Sequence, residues 1–233
     1  MANDKKKKTT YTTPKGSALF AHVKDIDYGT DKFPIPDGQF VITLVLSEHE
    51  SEALKQKLEQ ELSEAEVFAE EKFDELKPVT KKKLGNLSFN PVCNEEYDKD
   101  GNETGNFLWR FKTAAFMKDK LTGKKKQRLI PVFDSIGQPV KLKDELGNGS
   151  IVRVAFTTNP YFVEGQGMGG LSLYLSAVQL LKLEQFGQRD AKSYGFGQED
   201  GYVADEDTSD GDSPYEEEAP RNATDDDTLE ADF

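Results

Sequence analysis

Hydrophobic positions along the chain follow two different periods, and the switch between them predicts its elements. Ser17–Val23 and Gln39–Leu46 (QFVITLVL) are dominated by β-branched and aromatic residues, with turn signals between them at Tyr28-Gly29 and from Pro34 to Gly38, so they predict two strands. The period then lengthens. Leu54, Leu58, Leu62, Ala65, Phe68 or Ala69, Phe73 and Leu76 recur every three or four residues, Ser47 and Glu50 are spaced as a capping box, and Pro78 ends the run. The pattern predicts one long amphipathic helix over about residues 48–77 with an acidic outer face. After Leu84 the β pattern returns at Phe107–Met117, Gln127–Phe133, Ile151–Thr158 and Leu171–Leu183, joined by loops such as Asp98–Gly105 and Lys118–Lys126. Many short strands around one helix predict a mainly β domain, a barrel or a sandwich, rather than βαβ units.

Alternation assigns faces. In Phe107–Met117 it turns Phe107, Trp109 and Phe111 to the core and points Arg110 and Lys112 outward. In IVRVAFTT it buries Val152, Val154 and Phe156 and exposes Arg153, and in LSLYLS it exposes Ser172, Tyr174 and Ser176. From Gly187 onward apolar residues thin out, so the pattern predicts a mobile basic arm over residues 1–15, a folded body over 16–188 and a disordered acidic tail over 189–233.

Charge changes the picture once it is divided by position. The net charge is −13, yet residues 1–188 hold 27 basic and 27 acidic side chains, while residues 199–233 hold fifteen carboxylates and one arginine. Within the body, residues 48–77 carry eleven acids and four lysines, which leaves the strands and loops at +7. The sequence therefore describes a basic β body with two acidic attachments. A single cysteine, Cys93, excludes an internal disulfide and suits a reducing, cytoplasmic setting, and no apolar run approaches membrane-spanning length.

Catalytic chemistry finds little footing. GQGMGG, Gly165–Gly170, has dinucleotide-loop spacing, but strand-like LSLYLS follows it where a helix is required, so it reads as a hairpin loop. His22 and His49 lack metal-site spacing, and Cys93 has no histidine partner in a known catalytic spacing. No enzyme, metal or cofactor is expected.

The basic and aromatic residues of the strands are more informative. Arg110, Lys112 and Arg153 share outward faces with Tyr174, the Arg153 strand runs into Tyr161 and Phe162, and Lys81, Lys82, Lys83, Lys124, Lys125, Lys126 and Arg128 supply loop rims. Cations for phosphates and ring faces for unpaired bases are what a single-stranded nucleic acid requires. The thirty-five residues of Glu199–Phe233 span roughly 30–35 Å as a coil, against a body radius of gyration of about 16 Å, so the tail can compete with phosphate for the groove. Its end, DDDTLEADF, offers Asp225, Asp226, Asp227, Glu230 and Asp232 to a basic partner and Phe233 to an apolar slot. The competing reading is an interaction adaptor whose barrel binds peptide and whose acidic tail mimics DNA.

DYG at Asp27–Gly29, WRFKTAAF, the lysine-rich hairpin leading to LIPVFDSIGQPV, GNGSIVRVAFTTNPY, LSLYLSAVQLLKLEQFG and the acidic ending in ADF occur in an order that resembles the single-stranded DNA-binding proteins of tailed, podovirus-type phages. That resemblance implies an OB-fold, a five-stranded Greek-key β-barrel with extra strands and a long helix packed outside. It also implies a homodimer that coats single-stranded DNA in phage replication, recombination and repair in the host cytoplasm. Its tail would contact the replicative polymerase and the helicase-primase. Arg110, Lys112, Arg153 and Tyr161 match family positions linked to DNA contact, and Phe233 matches the terminal aromatic. The family pattern has an aromatic at Ala114, a lysine at Ala155 and a tryptophan near Val163, contacts that Phe162 or Tyr174 can supply here.

Overall fold

The structure, a computed structural model, describes residues 9–119 and 123–184. Its elements are β1 (Thr10–Thr12), β2 (Gly16–Thr30), β3 (Phe33–Ser47), α1 (Glu48–Lys57), α2 (Glu59–Asp74), α3 (Pro78–Leu84), β4 (Ser88–Phe89), β5 (Asn94–Tyr97), β6 (Glu103–Ala114), β7 (Phe116–Lys118), β8 (Lys125–Gln127), β9 (Val132–Phe133), β10 (Ile151–Val163) and β11 (Met168–Lys182). The tail expected over 189–233 lies outside the described residues.

Five long strands close on themselves in the order β10-β2-β3-β6-β11 and back to β10. This is the five-stranded Greek-key barrel of the OB-fold. Four joints are antiparallel; at the fifth, β6 meets β11 in parallel through the single pair Lys112–Tyr174. Short strands decorate the ring: β1 on β10, β4 and β9 on β11, and β5 on β6. The period-two pattern explains the interior, where Phe40, Ile42, Leu44 and Leu46 of β3 meet Trp109 and Phe111 of β6 and Val152, Val154 and Phe156 of β10, all fully or almost fully buried. Phe111 and Phe156 pack ring against ring at 4.9 Å. The Trp109 indole N–H, which needs an acceptor when buried, donates to Ser51 Oγ of α1 at 3.0 Å.

The helical run divides where one helix was expected. It breaks at Leu58, whose φ/ψ of −101°/3° ends α1 and starts α2, and Pro78 opens α3 at its first turn as well as ending the preceding run. The break follows burial: Leu54 and Leu58 reach the barrel core, while Ala65 and Ala69 of α2 lie against β10 and β11, where Gly169 leaves room for Ala69. A straight helix of 27 residues would run about 40 Å and leave the curved barrel wall. The capping box stands as read, with Glu50 N–H on Ser47 Oγ and Ser47 N–H on the Glu50 carboxylate.

The N-terminal arm differs from the expected mobile segment over its described part. Thr10–Thr12 pairs with Ala155–Phe156–Thr157 as β1, Tyr11 OH donates to Glu61 at 2.9 Å, and buried Thr13 accepts from Val154 N–H and donates back to its carbonyl. Threonine suits an edge strand, and these polar anchors hold it without an apolar run for a sequence reading to detect. In β2 the ladder slips between His22 and Asp27, and the N–H groups of Val23, Lys24 and Asp25, without ladder acceptors, all donate to the Glu145 carboxylate at 3.0–3.1 Å. That carboxylate pegs the 142–150 segment to the barrel. Gln127–Phe133, expected as one strand, spans the end of β8 and all of β9, with residues 128–131 between them in neither strand.

Candidate nucleic-acid interface

Backbone register assembles a row across the ring in which Val41 is buried and the other four side chains reach the surface. His22 pairs with Val41, Val41 with Lys112, Lys112 with Tyr174 and Tyr174 with Thr157, so these five residues cross β2, β3, β6, β11 and β10. Arg110 lies two residues from Lys112 on the same face and opposite Thr43. Arg110 and Lys112 are exposed, and Tyr174 keeps 38% of its surface open, although its neighbours on either side are buried in the core. A ring with two cations beside it thus stands on the outer surface of the barrel.

Tyr161 belongs to this face at its far end. It pairs with Gly170, four residues before Tyr174 on β11 and hence about 13 Å along it. The missing side chain of Gly170 makes the arrangement possible: a Cβ there would come within 2.5 Å of the Tyr161 hydroxyl. The ring lies over that gap, and its hydroxyl accepts from the Asn90 amide at 2.7 Å. Tyr161 is half-buried and fixed.

Two basic rims flank the strip. At the β11 N-terminal end, α3 docks on the β10–β11 turn, with Leu84 and Phe73 against Gly167. It presents Lys82 and Lys83 to solvent, while Lys81 pairs with Asp74 at 2.8 Å and lies over the Phe73 ring. At the opposite end β6 continues into the β7–β8 hairpin, which carries exposed Lys124, Lys125 and Lys126; Lys125 reaches Asp37 of β3 at 3.1 Å. Arg128 follows, its backbone N–H tied to Ala115 and its Nε buried without an acceptor among the described residues, in the cleft between this hairpin and Leu175–Ser176.

Two of the residues expected to converge have other engagements. Arg153 is exposed on the same face of β10, four residues from Thr157 and so about 13 Å from the central row on the side away from Tyr161; its Nε donates to the Thr13 carbonyl at 3.1 Å, which fastens the N-terminal segment. Phe162 turns to the other face of β10 and packs edge-on against Phe73 of α2, with centroids 6.4 Å apart. Parity along a strand gave Arg153 the right side of the sheet; it gave no position along a twisted barrel. Phe233 and the tail carboxylates lie outside the described residues.

The sequence reading passed over two members of the face. His22, considered there only as a metal ligand, stands in the central row. Asp27 places a carboxylate beside it, accepting from Gln39 Nε2 at 2.8 Å and from Gly29 N–H at 2.7 Å. Partial burial favours its neutral form, but those hydrogen bonds and the neighbouring His22 and Arg110 outweigh it and hold the Asp27 carboxyl below its ordinary pKa. Among the described residues no group of three or more histidines, cysteines or acids could hold a metal ion, and no helix is long and apolar enough to cross a membrane. Cys93 is buried, which pushes its thiol pKa up.

Comparison with known proteins gives a consistent result. The chain is 28% identical over 227 residues to a single-stranded DNA-binding protein of Enterobacteria phage T3, covering 95% of this chain and 97% of that protein. It is 26% identical over 229 residues to the single-stranded DNA-binding protein of Escherichia phage T7, covering 91% and 97%. The crystal structure of gp2.5, a single-stranded DNA-binding protein encoded by bacteriophage T7, superposes with a TM-score of 0.60 at 22% identity, covering 85% of this chain and all of the other, and so shares the fold. The model of the family described as single-stranded DNA-binding protein, bacteriophage T7, matches residues 15–183, from the residue before β2 to the residue after β11, and the chain belongs to that family.

Proposed function

We propose that this protein coats single-stranded DNA with little sequence preference, holding it on the outward face of β6, β11 and the end of β10. The observation that carries this reading is the row in which Tyr174 stands in register with Lys112 and beside Arg110, with Tyr161 fixed further along and lysines at both ends. Arg110, Lys112 and the rim lysines meet phosphates, and Tyr174 and Tyr161 stack bases, contacts that read the backbone and the π-face common to every base. The protein acts during phage DNA replication, recombination and repair in the host cytoplasm, as a homodimer, and performs no catalysis. The fifteen carboxylates of residues 199–233 compete with DNA for the cationic face. When DNA displaces them, Asp225–Asp227, Glu230, Asp232 and Phe233 become available to the replicative polymerase and the helicase-primase.

The experiment is a fluorescence-anisotropy titration of labelled oligo-dT at two salt concentrations, with the full chain and with a truncation before Glu199. Affinity is expected to fall steeply with salt and to rise on truncation. A flat salt response overturns the phosphate-binding face; an unchanged affinity after truncation overturns the competition.

A further inference from the structure

The β2–β3 ribbon runs past the barrel. Its last pairing with β6 is Gln39–Ala114, and beyond it Gly29 faces Pro34 and Thr30 faces Phe33, paired only with one another. At this tip Phe33 is 79% exposed, with Tyr28 at 54% nearby and Lys32 next in sequence. A phenylalanine this open contributes almost nothing to the core. The tip is nonetheless built firmly: Asp27 Oδ1 takes the Gly29 N–H at 2.7 Å, Gly29 has a φ of +78°, and Thr30 Oγ1 takes the Phe33 N–H at 3.3 Å. It is also tied to the basic β7–β8 rim, through Lys125–Asp37 at 3.1 Å and the Ala115 N–H on the Gly38 carbonyl at 3.0 Å.

From this geometry we infer that Phe33 is a further stacking residue, catching an unpaired base of the strand as it leaves the cationic strip past the β7–β8 rim. The inference rests on the single-stranded DNA reading of that strip and extends it to the hairpin tip. Local charge defines the mode of contact. Asp37 is paired with Lys125, Asp31 and Lys32 offset each other, and the ring is the feature the tip offers a strand. The contact is therefore stacking without added phosphate binding. It strengthens the complex and leaves its salt dependence alone.

The test uses the full chain and oligo-dT. Phe33→Ala is expected to weaken binding about tenfold, the loss of one base–ring stack, with an unchanged salt slope. Tyr97→Ala, which removes another exposed ring, bonded to Glu95 on β5, is expected to bind as the parent does. Phe33→Trp supplies a direct readout: the only native tryptophan, Trp109, is fully buried, so quenching of an exposed indole on adding oligo-dT reports stacking at the tip. Parent-like affinity for Phe33→Ala together with unquenched Phe33→Trp overturns the inference, and a change in sedimentation without a change in affinity does so too, by making the tip a contact between protein copies. An Arg110→Ala/Lys112→Ala variant run alongside separates the two ideas, since a flattened salt response there, with Phe33→Ala neutral, removes the tip and leaves the strip.

Discussion

Replacing Arg110 and Lys112 together by alanine removes the two cations that flank Tyr174 and leaves the core beneath them intact, because both side chains point out of the barrel. The size of the effect follows from a count of cations. With six phosphate contacts, two from this pair and two from lysines at each rim, each releasing about 0.7 counterion, log affinity falls against log salt with a slope of about −4. Between 50 and 200 mM salt the parent then loses affinity by about 300-fold, and the double variant, with four contacts and a slope near −3, by about 50-fold. Oligo-dT titrations across that range measure both slopes, and emission from buried Trp109 checks that each protein is folded. A folded double variant with the parental slope would place the phosphates elsewhere and refute the argument.

The remaining predictions concern the support of the face. Ser51→Ala strands the buried Trp109 indole N–H and should lower stability by about 1–3 kcal/mol in urea titrations, with altered tryptophan emission. Asp27 has a folded pKa below its unfolded one, so it contributes stability that is full above about pH 4 and is lost as pH falls through the lower folded value. Asp27→Asn should flatten that acid loss in pH-dependent melts and, by deleting a carboxylate beside Arg110, tighten oligo-dT binding; weaker binding would show that Asp27 positions the face more than it opposes phosphate.

Much of this architecture was legible because it depends on period. The alternation in WRFKTAAF put Trp109 and Phe111 inside and Arg110 and Lys112 outside, GQGMGG began in the β10–β11 hairpin turn with Gly165 and Gly167, although Gly169 and Gly170 belong to β11, and Ser47 and Glu50 capped their helix. The helix break at Leu58 was hidden because Leu54, Leu58 and Leu62 keep a regular spacing through it, and only the curvature of the barrel wall demands the change of direction. Lys81 and Lys82 look alike in sequence, yet one is spent on Asp74. Arg153 shows the same limit: charge and strand parity place it on the outward side of β10, whereas its tie to the Thr13 carbonyl depends on where the N-terminal segment docks. His22 was obscured by irregularity in β2, where Phe20 adopts a positive φ of 49° and breaks the alternation that would have marked the histidine as outward.

The joint between β6 and β11 has one bridging pair, whereas the antiparallel joint between β3 and β6 runs over nine consecutive pairs. The cylinder is thus loosely laced where the proposed phosphate-binding and stacking residues sit, and a polymer lying across Lys112 and Tyr174 would act as a strap over that seam. If the proposed face is the one that holds DNA, occupancy and closure are coupled: each bound strand would resist opening of the wall beneath it, and coated DNA would carry a stiffer protein than the one free in solution.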